Sequence, residues 1–493
     1  MIRKRTLPLL AALLLSGCTV GPNFEQPPPP NATGYAPGAL APMPRGKDAQ
    51  RFLAGRNVDA QWWRQFGSVR LDALVEQGLA SNPDLDGARA ALRGAQESVK
   101  AQQGFYYPTV AAGLSVNPRR DATGTLASLQ VNNQTYFTLF SPQLGISYAP
   151  DVFGMNHRAV ESLEAQAESQ CYLAEATYNT LISNIVAAAI RKAMLTDMVT
   201  SAQAQVEQDH AILALLRRQQ TMGQVSEADL SAQQTALAQS EAALPPLQVQ
   251  MGIQDNLLAS LVGKFPSDRL ENGFTTKDFT LPRDMPVSLP AHLVEQRPDV
   301  RAAQAQLHAA SANVGVAVAA RLPNISLTAG IGTVSTAFSS LFAPENLFWS
   351  LAASAGQTLF DGGTLEHRQK AAEASLDVAK AQYRRVVINA LQDVADTLTA
   401  LAHDTLAVDA AHQSADAASR SLDLTLRRQK MGAASTLALL NARKTVAAAQ
   451  NGLIQAQANR LQDSAALFMA LGGGQHVPVG DTKPCGPPSS LRL

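Results

Sequence analysis

Charge is scarce in this chain and evenly matched: Asp, Glu, Lys and Arg make up 16% of its 493 residues, 40 basic against 40 acidic. A basic footprint for nucleic acid is therefore excluded as its dominant theme. Three cysteines exclude a disulfide-built scaffold and any four-thiolate metal site. Aromatics are only 5%. Past the first residues, no apolar run reaches the ~20 residues of a membrane-spanning helix. Glycine and proline are not in excess, which excludes collagen-like or wholly disordered chains. There is no phosphate loop with its lysine and no His-Glu-x-x-His pattern. The eight histidines are scattered, and His403 and His412 lack metal-ligand spacing. No catalytic residue, metal or cofactor is expected, and no nucleic-acid partner.

What remains is a chain rich in Ala, Leu and Gln, suited to long, closely packed helices. It opens with an address. Arg3, Lys4 and Arg5 precede the apolar stretch Leu7 to Leu15, and Leu15-Ser16-Gly17-Cys18 follows. This is a secretory leader whose end is similar to a bacterial lipoprotein lipobox. It predicts a signal peptide over 1–17 and acylation of Cys18; an ordinary leader with an incidental cysteine is the alternative. Thr19, in place of aspartate, favours sorting to the outer membrane. Two or three acyl chains suffice for stable anchoring.

The chain is written twice. Asn82-Pro83-Asp84-Leu85 returns as Arg297-Pro298-Asp299-Val300, and Tyr107-Pro108 returns as Leu322-Pro323, both 215 residues on. Asp151 and His157-Arg158 return as Asp361 and His367-Arg368, and Arg217-Arg218-Gln219 as Arg427-Arg428-Gln429, 210 residues on. Met222-Gly223 returns as Met431-Gly432. In each half a helix after the proline (84–103, 299–319) leads to two strands, a very long helix, a sharp turn and a returning helix. No Gly or Pro interrupts the chain between Gly154 and Gly223, or between Gly363 and Gly432. Each stretch predicts a helix of roughly 100 Å, too long for one globular core. Leu391, Val394, Leu398, Leu401 and Val408 step as a coiled-coil seam, as do Tyr178, Leu181 and Ile185. Gly223 and Gly432 stand where C-terminal caps belong, and Ser226 with Asp229 reads as a capping box. The returning helices (226–262, 435–471) are about half as long. Together with the helices that precede the strands they predict columns of equal height, as in a tube wall. Pro245-Pro246 is expected to kink the first of them. Asp151 and Asp361 each precede a long helix and are expected to cap it rather than form a catalytic pair. Cys171, in a long helix, and Cys485, in the tail, are expected to stay apart.

The strands alternate. Val110, Ala112, Leu114 and Val116 interleave with Thr109, Ala111, Gly113 and Ser115. Ile325, Leu327, Ala329 and Ile331 interleave with Asn324, Ser326, Thr328 and Gly330. Residues 137–148 and 347–359 carry the same pattern. Apolar against small-polar residues over ~10 positions is the signature of an outer-membrane barrel strand; any one of them also fits a soluble sheet. Four strands cannot close a barrel, and an open edge in lipid is forbidden. Strands in a membrane would therefore come from several chains.

These residues resemble the outer-membrane factor family, TolC-like, in its lipoprotein (NodT-type) branch. The resemblance rests on Cys18-Thr19-Val20-Gly21-Pro22-Asn23-Phe24, Trp62-Trp63 with Phe66, Leu289-Pro290, Arg297-Pro298-Asp299-Val300-Arg301, Leu359-Phe360-Asp361-Gly362-Gly363 and Leu471-Gly472-Gly473-Gly474, in that order. It implies a mostly helical, internally duplicated chain, four of whose strands contribute to a trimeric, 12-stranded outer-membrane β-barrel. That barrel is continuous with a long periplasmic α-helical barrel. The implied division is an N-terminal extended segment and equatorial belt (18–80), a first repeat (81–263), an equatorial linker (264–296), a second repeat (297–474) and a C-terminal tail (475–493). The implied function is the passive outer-membrane channel of a tripartite efflux pump for drugs or other small toxic solutes. Its partners would be a periplasmic adaptor and an inner-membrane transporter of RND type. A channel for type I protein secretion and a non-channel periplasmic strut are the alternatives. The tips Gln219, Gln220, Thr221, Met222 and Gly223, and Gln429, Lys430, Met431 and Gly432, would meet the adaptor. The family's constriction pair, a leucine and an aspartate four residues on, corresponds to Leu437 and Asn441. Asparagine leaves an anionic ring in doubt there; Glu227 and Asp229 could supply charge or serve as caps.

Overall fold

The computed structural model describes residues 19–30, 34–35, 50–120, 136–268, 273–288, 290–474 and 485. The leader and Cys18 lie outside the described residues. The elements in chain order are β1 (Arg51–Ala54), a 3-10 turn at Trp62–Phe66, α1 (Val69–Ser81), α2 (Pro83–Gln103), β2 (Thr109–Arg120), β3 (Tyr136–Tyr148), α3 (Met155–Thr221) and α4 (Glu227–Leu261). Then follow β4 (Asp284–Val287), α5 (Pro290–Gln296), α6 (Pro298–Ala319), β5 (Asn324–Thr333), β6 (Leu347–Gly356), α7 (Thr364–Lys430) and α8 (Thr436–Ala470).

The two long helices, α3 and α7, are 67 residues each, and the two returning helices 35 each. Val394, Leu398, Leu401 and Val408 of the α7 seam are buried, as are Tyr178, Leu181 and Ile185 of α3. α4 runs through Pro245 and Pro246 as one helix. The carbonyls of Glu241 and Ala242, deprived of their usual donors, sit on an exposed stretch where water can serve them.

The short helices stack end to end, as their lengths require. In the first repeat Asn82 caps α2, accepting from the amides of Asp84 (2.9 Å) and Leu85 (3.2 Å). Its amide group reaches back to the Leu261 carbonyl at the end of α4 (2.9 Å). Gly263, at φ +71, lies so close to this joint that a Cβ would stand 2.1 Å from the Ser81 carbonyl oxygen. In the second repeat Arg297 holds the matching place. Its guanidinium donates to the Ala470 carbonyl at the end of α8 (3.0 Å) and to Asp299 (2.7 Å) and Asp393 (3.0 Å).

Around this joint lies the core. Trp62, Trp63, Phe66 and Phe468 are essentially without solvent contact, with Trp62 stacked on Phe468 at 5.3 Å between ring centroids. β1 and β4 pair in parallel beside it, across more than two hundred residues of sequence. The expectation that Cys171 and Cys485 stay apart is overturned: they form a disulfide between α3 and the tail. The Tyr172 hydroxyl donates to the Cys485 carbonyl (3.2 Å) and is itself held by Arg301 (2.7 Å), so the tail is tied to α3 by polar as well as covalent contacts. Nothing in the local sequence of either cysteine shows that the tail reaches that helix.

Candidate functional site

β2, β3, β5 and β6 form one antiparallel sheet in that order, the β3–β5 pair joining the two repeats. The register sorts the side chains. Val110 faces Ile146, Leu144 faces Ile331, Ile331 faces Trp349 and Ala329 faces Leu351, an apolar face running across all four strands. On the other face Thr109 meets Ser147, Ser147 meets Thr328, Gly145 meets Gly330 and Ser326 meets Ser354, whose hydroxyls lie 2.7 Å apart. Leu114, Trp349 and Leu351 are exposed in the protomer. One face thus suits lipid and the other a wet lumen. Among the described residues, β2 and β6 each have one side without a strand partner in the chain. In a bilayer such a row of unpaired N–H and C=O groups must be closed by other strands.

The opposite ends of the long helices are two copies of one turn. At the first, the amide of Gly223 donates to the Gln220 carbonyl (2.8 Å) and that of Gln224 to Gln219 (2.9 Å). At the second, Gly432 donates to Gln429 (2.9 Å) and Ala433 to Arg428 (2.8 Å). Both are Schellman caps, with glycine at φ +70 and +73. Ser226 and Ser435 then cap the returning helices, accepting from Asp229 (3.1 Å) and Ala438 (3.2 Å). Thr221 and Lys430 are exposed, and Met222 and Met431 present their side chains to solvent, 63% and 74% exposed. A pair of exposed methionines at equivalent tips is an adaptable apolar contact surface.

The gate candidates sit beside these turns. Leu437 and Asn441 are both exposed and one turn apart on α8, while Leu439 and Leu440 are buried. Aligned on the caps Ser226 and Ser435, the first hairpin carries Ala228 and Ala232 at the same places. The leucine therefore belongs to one hairpin only, a difference that the duplication does not explain. The Asp229 carboxylate accepts from the Ser226 amide (3.3 Å), completing the capping box, and from the Ser226 hydroxyl (2.6 Å), and Glu227 accepts from Gln220 across the turn. Higher up, Lys444 on α8 donates to Gln239 on α4 (2.8 Å), tying one hairpin to the other. No sequence pattern marked that pair.

At the other end of the long helices, Asp151 accepts from the amides of Asn156 (3.0 Å) and His157 (2.7 Å), and Asp361 from Gly363 (2.9 Å) and Leu365 (2.8 Å). Both cap a helix start, as expected. The backbone N–H of Leu365, followed by that of Gly363, holds the Asp361 carboxyl below its ordinary range.

Comparison with known proteins agrees with this geometry. The chain is 30% identical over 455 residues to the pyoverdine export outer membrane protein OpmQ of Pseudomonas putida, covering 91% of this chain and 94% of OpmQ. It is 28% identical over 483 residues to the toluene efflux pump outer membrane protein TtgI, also of Pseudomonas putida, covering 97% and 99%. The solved outer-membrane channel OprN superposes with a TM-score of 0.82 at 25% identity, covering 93% of this chain and 99% of OprN. The expected fold class therefore stands: a duplicated, mostly helical chain of a trimeric outer-membrane channel, with four strands per subunit. The family description "Outer membrane efflux protein" matches residues 74–264 and again 289–473, and the chain belongs to that family.

Proposed function

We propose that this protein is the passive outer-membrane conduit of a tripartite efflux pump, carrying small toxic solutes from the periplasm to the exterior. The carrying observation is the two-faced sheet with both edges open, standing on two hairpins whose long arms reach ~100 Å. Three chains close that sheet, and the helices continue the tube. The tips 219–223 and 429–432 meet a periplasmic adaptor, which links the channel to an inner-membrane transporter of RND type. Leu437 and Asn441 stand at the narrowest point, and Cys18 carries the lipid anchor. Relatives of similar closeness are named for molecules as unlike as pyoverdine and toluene, which suits a conduit that does not itself choose its cargo.

The test has two arms. In planar bilayers the purified channel should conduct. A photo-crosslinker placed at Gln220 or at Met431 should capture an adaptor in cells. Absence of both conductance and capture, in protein that still assembles, would refute the reading.

A further inference from the structure

We propose that the outward face of the sheet carries a site for a phosphate-bearing lipid of the outer leaflet, with the headgroup phosphate on Arg120 and an acyl chain in the groove below it. The site requires that the strands stand in the outer membrane and is independent of the pump reading above.

Charge on the sheet is confined to one place. The described residues of β2, β3, β5 and β6 include two charged side chains, Arg119 and Arg120, side by side at the end of β2. Alternation sends them to opposite faces. Arg119 joins Ser115 and Asn117 on the wet face, and Arg120 joins Leu114 and Val116 on the lipid face. A cation on that face is costly except near a headgroup layer. The length of the strand puts it there. β2 leaves the helical column at Thr109, and its 12 residues, tilted by about 40°, climb roughly 30 Å. The apolar band of an outer-membrane barrel is about 25 Å tall. Arg120 therefore emerges beyond it, among the headgroups of the leaflet away from the periplasm.

The side chain is held ready. Tyr136 stands opposite it in the β2–β3 register, and the guanidinium lies over that ring, 5.1 Å from the centroid. Tyr136 is itself exposed, and an apolar ring tipped with a hydroxyl suits the boundary between lipid and headgroup. Among the described residues no carboxylate pairs with Arg120, so its N–H donors are free for an anion. A planar guanidinium can take two phosphate oxygens at once.

Below it a groove of about 500 Å³ opens on the same face, lined by Ala112, Leu114, Leu144, Ile331, Phe342 and Leu347. It follows a break in the sheet. Pro142 has no N–H to donate, and the β3–β5 pairing ends at Gln143 and returns only at the bridge between Phe140 and Ser335. Leu114 is six residues below Arg120 on β2, roughly 20 Å along the strand and about 15 Å in depth at that tilt. That is half of a ~30 Å hydrocarbon core, the reach of one acyl chain.

The duplication supplies a contrast. The place that matches Arg120 in the second repeat is Ser335, which is buried. β2 is an edge strand, so in the closed trimer each Arg120 stands at a seam between subunits. The seam inside the chain, β3 on β5, carries no such cation. Three lipids per trimer are expected, one at each inter-subunit seam.

Native mass spectrometry of the full-length channel in detergent, titrated with lipid A and with lipid A stripped of its phosphates, tests this. The wild type should bind lipid A roughly tenfold or more tightly than the stripped form. Arg120→Gln should abolish that preference. Ala112→Phe fills the groove and should weaken both lipids alike while keeping the preference. Excess inorganic phosphate should leave lipid A bound. No preference in the wild type overturns the proposal, and this comparison needs no variant, so it decides the matter if Arg120→Gln fails to assemble. A preference that survives in an assembled Arg120→Gln assigns the phosphate to another residue and overturns the site. Displacement by inorganic phosphate, or unchanged binding in Ala112→Phe, shows a site for the free anion and overturns the part given to the groove.

Discussion

Leu437 is 59% exposed in a single subunit. In the proposed gate, three copies brought together by symmetry would make a dry plug. Leu437→Ala should raise the single-channel conductance of the isolated protein and sensitise cells to large antibiotics. Unchanged conductance in an assembled channel would move the constriction elsewhere, with Glu227 the next candidate, since the Asp229 carboxylate already serves the cap. Asn441 is neutral, so it can offer hydrogen bonds worth about 1 kcal/mol each but no field for cations. Asn441→Asp should add a cation-dependent block absent from the wild type, visible as conductance falling on addition of divalent ions. A second residue-scale effect lies between α7 and α8. Burial, and then the neighbouring Asp463, push the Asp404 carboxyl from its ordinary 3.8 up to about 7. The folded chain therefore holds a proton that the unfolded chain releases. Its stabilising contribution is complete below about pH 4 and is lost as pH rises through about 7. Thermal unfolding of the wild type should weaken across that window. Asp404→Asn, neutral throughout, should flatten the dependence; an equally steep profile in the variant would place its origin elsewhere.

Among the elements, the joints between short helices carry the greatest leverage. Asn82 caps α2 and ties it to the end of α4 in one side chain. Asn82→Ala removes a cap, typically ~1 kcal/mol, and leaves the Leu261 carbonyl without its partner. A loss of about 1–2 kcal/mol in denaturant unfolding is expected. Arg297 makes the tie in the second repeat with a charge that reaches α7 as well as α8, without capping α6 through its side chain. Both residues were visible in the sequence as the start of a repeat, because a residue before Pro-Asp reads as a helix entry. Their cross-joint bonds were not visible, since the partner carbonyls lie 173 and 179 residues away. The tip turns differ in this respect. The Schellman caps at Gly223 and Gly432 and the capping box at Ser226 close within six residues, and the positions of Gly, Ser and Asp alone foretold them.

At the scale of the whole molecule, the sheet governs. Among the described residues both outer strands of the sheet lack a partner in the chain, and such edges cannot face lipid, so other subunits must close it; three subunits of four strands make the expected twelve. Native mass measurement in detergent should give three chains, and a stable, inserted monomer would contradict the closure argument. The disulfide acts at the same scale. It joins the first long helix to the tail across 314 residues, enclosing the whole of the second repeat and about half of the first. Cys485→Ser should leave the trimer and its conductance intact, because the described helices and the four-stranded sheet all lie before residue 471. It should also expose the tail to protease, seen as a clipped C-terminus on gels. If channel assembly fails in that variant, the link is part of folding rather than a fastening added to it.

The sequence by itself determined the duplication, the lengths of the helices, the seams, the reversal at each tip and the alternation of the strands. Each of these rests on a period or a cap that operates within a few residues, such as the seven-step of Leu391 and Leu398 or the glycine at 223. Only the tertiary structure decided which distant pieces meet: Cys171 with Cys485, β1 with β4, Asn82 with Leu261, and Arg158 with Asn23. These pairings depend on where two 67-residue helices, with α6 and α8 packed against both, carry residues tens of ångströms along the column. No local preference encodes that address; the summed packing of the whole column sets it.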